Sequence, residues 1–331
     1  MIRLRMQKPR GFSLRAASDF YASFTPGSGM AAAAVDQLTL AFRLDHSFDP
    51  VAVALREADS ALVLDVAGTD DRQAVRQQVA RMLGLEPGAD AWLELGERDP
   101  VVGSLQREFP GFFTAAKSSP YDAATWSVIT PRMHQRQAAA IKQAMARELG
   151  DRVELHGRAH HVFPAPTVLA SLRAFPGLAE EKVARLRGIA EAALAGRLDA
   201  ERLRALGETR ALAELQTLRG IGPWAASHVY FRGAAPRDGL PTAEPRVLHG
   251  LAHAYRIEAP SAVTFARLAE SWRPFRMWVC VLLSRHLACT DGWHAPGLAR
   301  ERAAAGRELA RRATSATRAT RPTRALATRQ A

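Results

Sequence analysis

The run Leu218-Arg219-Gly220-Ile221-Gly222-Pro223-Trp224 holds the residue types and spacing in this chain most suited to chemistry. Two glycines bracket one aliphatic residue between two stretches of helical periodicity. Glycine reaches positive φ without steric cost and lets a ligand come close to the backbone. Ile221 is expected to plug the turn into a core, and Pro223 suits the first turn of the next helix. The unpaired N–H groups there, with the helix dipole, form an anion site, so Arg219, Gly220, Ile221 and Gly222 are expected to hold a phosphate. Downstream, Glu244 stands just before Pro245, which places it at a helix cap where the dipole favours an ionised carboxylate. Such a group can stabilise a developing cation and orient or deprotonate a water. The same acid at a helix start is also stabilising with no chemistry attached, and Asp238 is the alternate carboxylate.

The segments LRGIGPWAA at 218–226, DGLPTAE at 238–244 and WRPFR at 272–276 resemble the helix-hairpin-helix DNA glycosylases. Within that superfamily they are most similar to the bacterial 3-methyladenine DNA glycosylase II group, and looser similarity runs through 119–145 and the N-terminal FSLRAASDFYASFTP. The resemblance implies a catalytic Asp three residues after a Pro. Counted from Pro241 that position is Glu244, a carboxylate lengthened by one methylene. Lyase-competent relatives carry a Lys two residues after the second hairpin glycine; here it is Trp224, so a monofunctional enzyme is expected. It further implies a monovalent cation on the carbonyls of Leu218 and Gly220. The two cysteines, Cys280 and Cys289, are too few for the iron-sulfur cluster of another branch.

Alkylated purines are cationic good leaving groups, and an aromatic pocket selects a cation by stacking. Trp224 leads the pocket candidates, with His228, Trp126, Trp272 and Trp278 behind it. His228 either lines the pocket or is a satisfied interhelical histidine, and tryptophans at helical spacing are often core. Flipping a nucleotide out of the stack needs a wedge. The Thr130-Pro131-Arg132-Met133-His134 segment offers Met133 for that role and Arg132 for a phosphate or the orphan base. Arg246 and Arg276 either hold phosphates or are solvated helix charges. The expectation is monofunctional hydrolysis of the N-glycosidic bond of alkylated purines in double-stranded DNA, by a monomer without a cofactor. The rivals are a non-catalytic DNA-damage binder and a glycosylase for another purine lesion.

The elements that must position these residues are α+β in class. Residues 1–36 read as a partly ordered extension. Residues 37–118 read as a small α+β domain, in which Leu38, Leu40 and Phe42 mark a half-buried strand, Ala61–Val66 its partner, and 70–86 a helix. From 119 to 297 strand signals fade into a helical core of two subdomains with a cleft, its first helical stretch interrupted near Pro131. His160 and His161 read as loop residues without metal-ligand spacing. Residues 298–331, rich in Ala, Thr and Arg, read as a basic disordered tail.

Composition bounds the rest. The 331 residues carry 45 Lys+Arg against 33 Asp+Glu, a formal charge of +12, with 47% hydrophobic residues. Wholesale disorder and a disulfide scaffold are excluded. No apolar run reaches the roughly 18 residues of a membrane span, so a soluble cytoplasmic, nucleoid-associated protein is expected. Residues 298–331 hold nine arginines against two glutamates, a share of +7 that leaves +5 for the remainder.

Overall fold

Alternation at Leu38, Leu40 and Phe42 forms a strand as the sequence predicts, but its neighbour is not Ala61–Val66. In the computed structural model, which describes residues 1–23, 31–34, 37–258 and 260–290, five strands form an antiparallel sheet in the order β1-β5-β4-β3-β2. These are β1 Ile2–Gln7, β2 Ala31–Ala34, β3 Gln37–Arg43, β4 Pro50–Ala58 and β5 Ala61–Ala67. Strand β4 pairs with both β3 and β5 and lies between them. Its run Val51–Leu55 is buried at every position, a pattern that arises when both faces of a sheet are covered.

One face, at Leu38, Leu40, Val53, Leu55 and Leu64, belongs to the main core. The other presents Ala41, Ala52 and Ala54 to a second hairpin, β6 Asp151–Leu155 and β7 Arg158–Val162, through Val153, Leu155 and Val162. That hairpin corrects the all-helical reading of the region, and it puts His160 and His161 on β7 rather than in a loop. The N-terminus differs as well. Strand β1 pairs with β5, Arg3 meets Asp65 at 2.6 Å, and α1 Leu14–Ser23 follows. Within the stretch read as an extension, β1 and β2 are therefore the two edge strands of the sheet.

The helices are α2 Arg72–Leu83, α3 Ala91–Arg98, α4 Pro100–Glu108, α5 Pro120–Ile129, α6 Gln135–Glu148, α7 Pro166–Ala170, α8 Glu180–Leu194, α9 Ala200–Leu206 and α10 Glu208–Gln216. Then come α11 Pro223–His228, running straight into a π-helical turn Val229–Ala234, and α12 Pro245–Tyr255, α13 Ala262–Ala269 and α14 Arg276–Thr290. The expected interruption near Pro131 is a clean break between α5 and α6.

The boundary drawn at 118/119 is bridged by the core. Tyr21 donates to the Ala116 carbonyl at 2.8 Å, and the Lys117 N–H donates to the Arg232 carbonyl at 2.7 Å. Met1 to His286 form one compact unit. The segment 298–331 lies outside the described residues. No helix among the described residues is long and apolar enough to cross a membrane.

Candidate active site

Helix α10, the turn 217–222 and α11 make the hairpin. Leu218 and Ile221 are buried, and the Ile221 N–H closes the turn on the Leu218 carbonyl at 3.0 Å. Gly220 sits at φ 90°, and a Cβ there would come within 2.7 Å of Arg185 Cδ. Gly222 is different: its backbone is extended and a Cβ would meet nothing within 4 Å. Arg219, Gly220, Gly222 and Trp224 form an exposed rim around the buried Ile221. Among the described residues no cluster of His, Cys, Asp and Glu could hold a metal ion. Of the two carbonyls implied for a monovalent cation, that of Leu218 already accepts the Ile221 N–H.

Glu244 meets Trp224. Trp224 is 42% exposed, and its indole N–H donates to Glu244 Oε2 at 3.2 Å. The other carboxylate oxygen, Oε1, accepts from the Arg246 backbone N–H at 3.2 Å and so caps α12. Asp and Ser are the usual residues for that job; the longer Glu side chain folds back to do it and still reaches Trp224. The loop that delivers Glu244 is held by its own turns, Thr242 N–H to Leu240 O at 2.8 Å and Glu244 N–H to Pro241 O at 3.0 Å.

Trp224 stacks on His228, with centroids 5.3 Å apart and planes 14° off parallel. Behind this pair lies a group of charges that no motif announced. Lys117 has no solvent exposure, its ammonium 4.9 Å from the centroid of the Trp126 ring and 3.5 Å from Asp122 Oδ2. Lys142 binds the other carboxylate oxygen of Asp122. Burial pulls the Lys117 amine down to about 7 against the opposing effect of Asp122. For Asp122 burial works toward the neutral form, but the two ammoniums outweigh it and hold the carboxyl below its usual range. Burial, followed by Lys117 and Arg232, pushes His228 down to about 3, so its ring is neutral. The scarcity of lysine was the available clue: two of the chain's four lysines, Lys117 and Lys142, converge on one carboxylate.

The other sequence candidates are placed as follows. Trp126 is buried on α5 under Lys117. Trp272 donates to Asp99 Oδ2 at 3.1 Å and Tyr255 OH at 2.9 Å, and Trp278 packs among Trp92, Phe113 and Phe275. Both are buried core residues, and these partners do not include Trp224 or Glu244. Asp238 pairs with Arg273 and Arg276 at 2.6 Å each. Arg276, with a side chain 13% exposed, is thereby tied to Asp238 and Glu270. In the α5–α6 turn Arg132 is exposed with φ 58°, while Met133 is half-buried against the main core. Lys182 holds this turn by donating to the carbonyls of Ile129 and Pro131 at 2.5 and 2.8 Å. Arg246 is half-buried on the first turn of α12.

No known protein-family model matches the chain. It is 24% identical over 229 residues to a DNA-3-methyladenine glycosylase of Bacillus subtilis, covering 65% of this chain and 73% of that one. Its fold is similar to that of a 3-methyladenine DNA-glycosylase from Archaeoglobus fulgidus, with TM-score 0.70, 20% identity and coverage of 86% and 97%. It is also similar to the Clostridium acetobutylicum 8-oxoguanine glycosylase/lyase solved with double-stranded DNA, with TM-score 0.55, 12% identity and coverage of 80% and 99%. These comparisons support the resemblance to the helix-hairpin-helix DNA glycosylase superfamily, and the α+β fold of these structures is the fold of this chain.

Proposed function

We propose that this protein is a monofunctional DNA glycosylase that hydrolyses the N-glycosidic bond of alkylated purines in double-stranded DNA, with Glu244 as its carboxylate. The observation that carries this reading is the Trp224 indole bonded to Glu244 and stacked on a neutral His228. A flipped N-alkylpurine is a flat cation. An exposed indole attracts it by roughly 0.5 to 2 kcal/mol, and a neutral imidazole adds an aromatic surface without repelling it. Glu244, aligned by Trp224 and by the start of α12, faces the sugar. As the glycosidic bond breaks, the carboxylate stabilises the oxocarbenium-like sugar; the cationic base departs neutral, and Glu244 takes a proton from the attacking water.

The monofunctional assignment draws support from the lysines. Lys8 pairs with Glu57, Lys142 and Lys117 with Asp122, and Lys182 with the α5 carbonyls, so each has a partner other than Trp224 and Glu244. The hairpin rim at Arg219, Gly220 and Gly222 would take a phosphate, and the Arg132–Met133 turn would supply the wedge. Double-stranded DNA is the partner that this arrangement fits, and no step requires a cofactor. Glu244→Gln keeps an oxygen for the cap but removes the charge. It should lower single-turnover base release from methylated DNA by at least about a hundredfold while binding of an abasic-analogue duplex persists. Base release at the wild-type rate would overturn the reading.

A further inference from the structure

His228 Nε2 is sealed from solvent and has no hydrogen-bond partner, although the ring itself is half-buried and stacked on the exposed Trp224. The ring of charge near it consists of Lys117 on the segment entering α5, Asp122 on α5, Lys142 on α6 and Arg232 on the π-helical turn. Asp122 is engaged with the two ammoniums. An N–H sealed at Nε2 would meet no acceptor, and the Arg232 guanidinium and the Lys142 ammonium on that side offer donors only, so the buried side favours a lone pair, not an N–H, on Nε2. A neutral imidazole carries one proton, which leaves it on Nδ1.

Resting on the glycosylase reading above, we propose that the buried cations fix His228 in its Nδ1–H tautomer, and that this N–H donates a hydrogen bond to an acceptor on the flipped base. The site then reads a purine twice, by its flat face on Trp224 and by one acceptor atom on its edge. The substrate class is narrowed to damaged purines that present an acceptor, ring nitrogen or exocyclic oxygen, toward His228. A lesion whose facing edge carries only N–H donors leaves the donor opposed and is discriminated against.

Two measurements on the full-length chain test this. Nitrogen-15 NMR of the histidine rings reads the tautomer directly: a pyrrole-type Nδ1 and pyridine-type Nε2 at His228 are expected, and the reverse overturns the proposal with no variant needed. In the second, an Asn side chain places its N–H near the position of Nδ1, and a Gln side chain near that of Nε2. On a duplex with a single 7-methylguanine, His228→Gln should fall about tenfold below His228→Asn in single-turnover kcat/KM. The two variants should bind a duplex with a tetrahydrofuran abasic analogue equally, since it has no base to contact. Equal kcat/KM values, or a matching gap on the abasic duplex, overturn the base contact alone. A wild-type chain that releases no damaged base overturns the proposed function and the contact with it, while the tautomer is still read by NMR.

Discussion

Glu244 is one methylene longer than the Asp expected from the resemblance, and the surroundings are fitted to that length. Its two oxygens divide the work, one to the Arg246 N–H and one to the Trp224 indole, each at 3.2 Å. Glu244→Asp should keep or improve the helix cap, since Asp is the better capping residue, but it cannot span to Trp224 at the same time. Thermal stability should therefore hold while base release drops by about tenfold or more, given that an ångström of misplacement costs up to roughly a hundredfold. A faster enzyme would mean that Trp224 does not align the carboxylate. Lys117 supports a separate test. Its folded-state pKa is depressed to about 7 from 10.5, so between those values the unfolded chain holds a proton that the native chain has released. Stability then rises with pH across that window, and this contribution fades as pH falls toward 7. Urea unfolding from pH 7 to 10 should show the rise in wild type and a smaller rise in Lys117→Met; parallel curves would remove Lys117 as the source.

At the scale of elements, two glycines one helix apart separate fold from function. Gly233, on the π-helical turn, lies against α5: a Cβ there would come within 2.6 Å of Pro120 Cα and 3.0 Å of Ala123 Cβ. Gly233→Ala should destabilise by about 1–3 kcal/mol, read as a lower urea midpoint. Gly222 is extended with open space around it, so nothing in the fold demands a glycine. Gly222→Ala should leave the midpoint unchanged and weaken duplex binding severalfold, because the methyl occupies the space a phosphate would enter; unchanged binding would move the phosphate elsewhere. The same contrast explains what was legible in the sequence. The hairpin, α12 with its cap and the strand β3 were legible because local rules specify them: glycine at positive φ, Pro after an acid, apolar alternation. The intervening strand β4 was not, because burial of Val51–Leu55 on both faces erases the alternation by which a strand is read, and the short hairpin β6–β7 was not, because its apolar residues Val153, Leu155 and Val162 cover strands remote in sequence. Lys117, Asp122 and Lys142 were hidden for a related reason. A buried charge is recognisable by its partner, and these partners meet only when α5 and α6 pack.

For the whole molecule, the proposed function makes charge the term that sets where duplex DNA would be held. Of the formal +12, residues 298–331 contribute nine arginines against two glutamates, leaving +5 on the rest of the chain. Arg219 on the hairpin and Arg132 at the α5–α6 turn are exposed, while Arg273 and Arg276 are engaged by Asp238 and Glu270. Each phosphate neutralised contributes about 0.9 to the slope of log affinity against log salt. If the arginines beyond Leu298 make about four such contacts, a chain ending at Gly297 should bind undamaged duplex with a slope flatter by three to four. Its base release under saturating enzyme should match that of the full chain, because Glu244, Trp224 and His228 all lie in the unit from Met1 to His286. A filter-binding salt titration of the two chains, run beside single-turnover release, separates the contributions. An unchanged slope would assign the whole electrostatic footprint to the hairpin rim and the α5–α6 turn, and Arg219→Ala and Arg132→Ala would then each have to flatten it by about one.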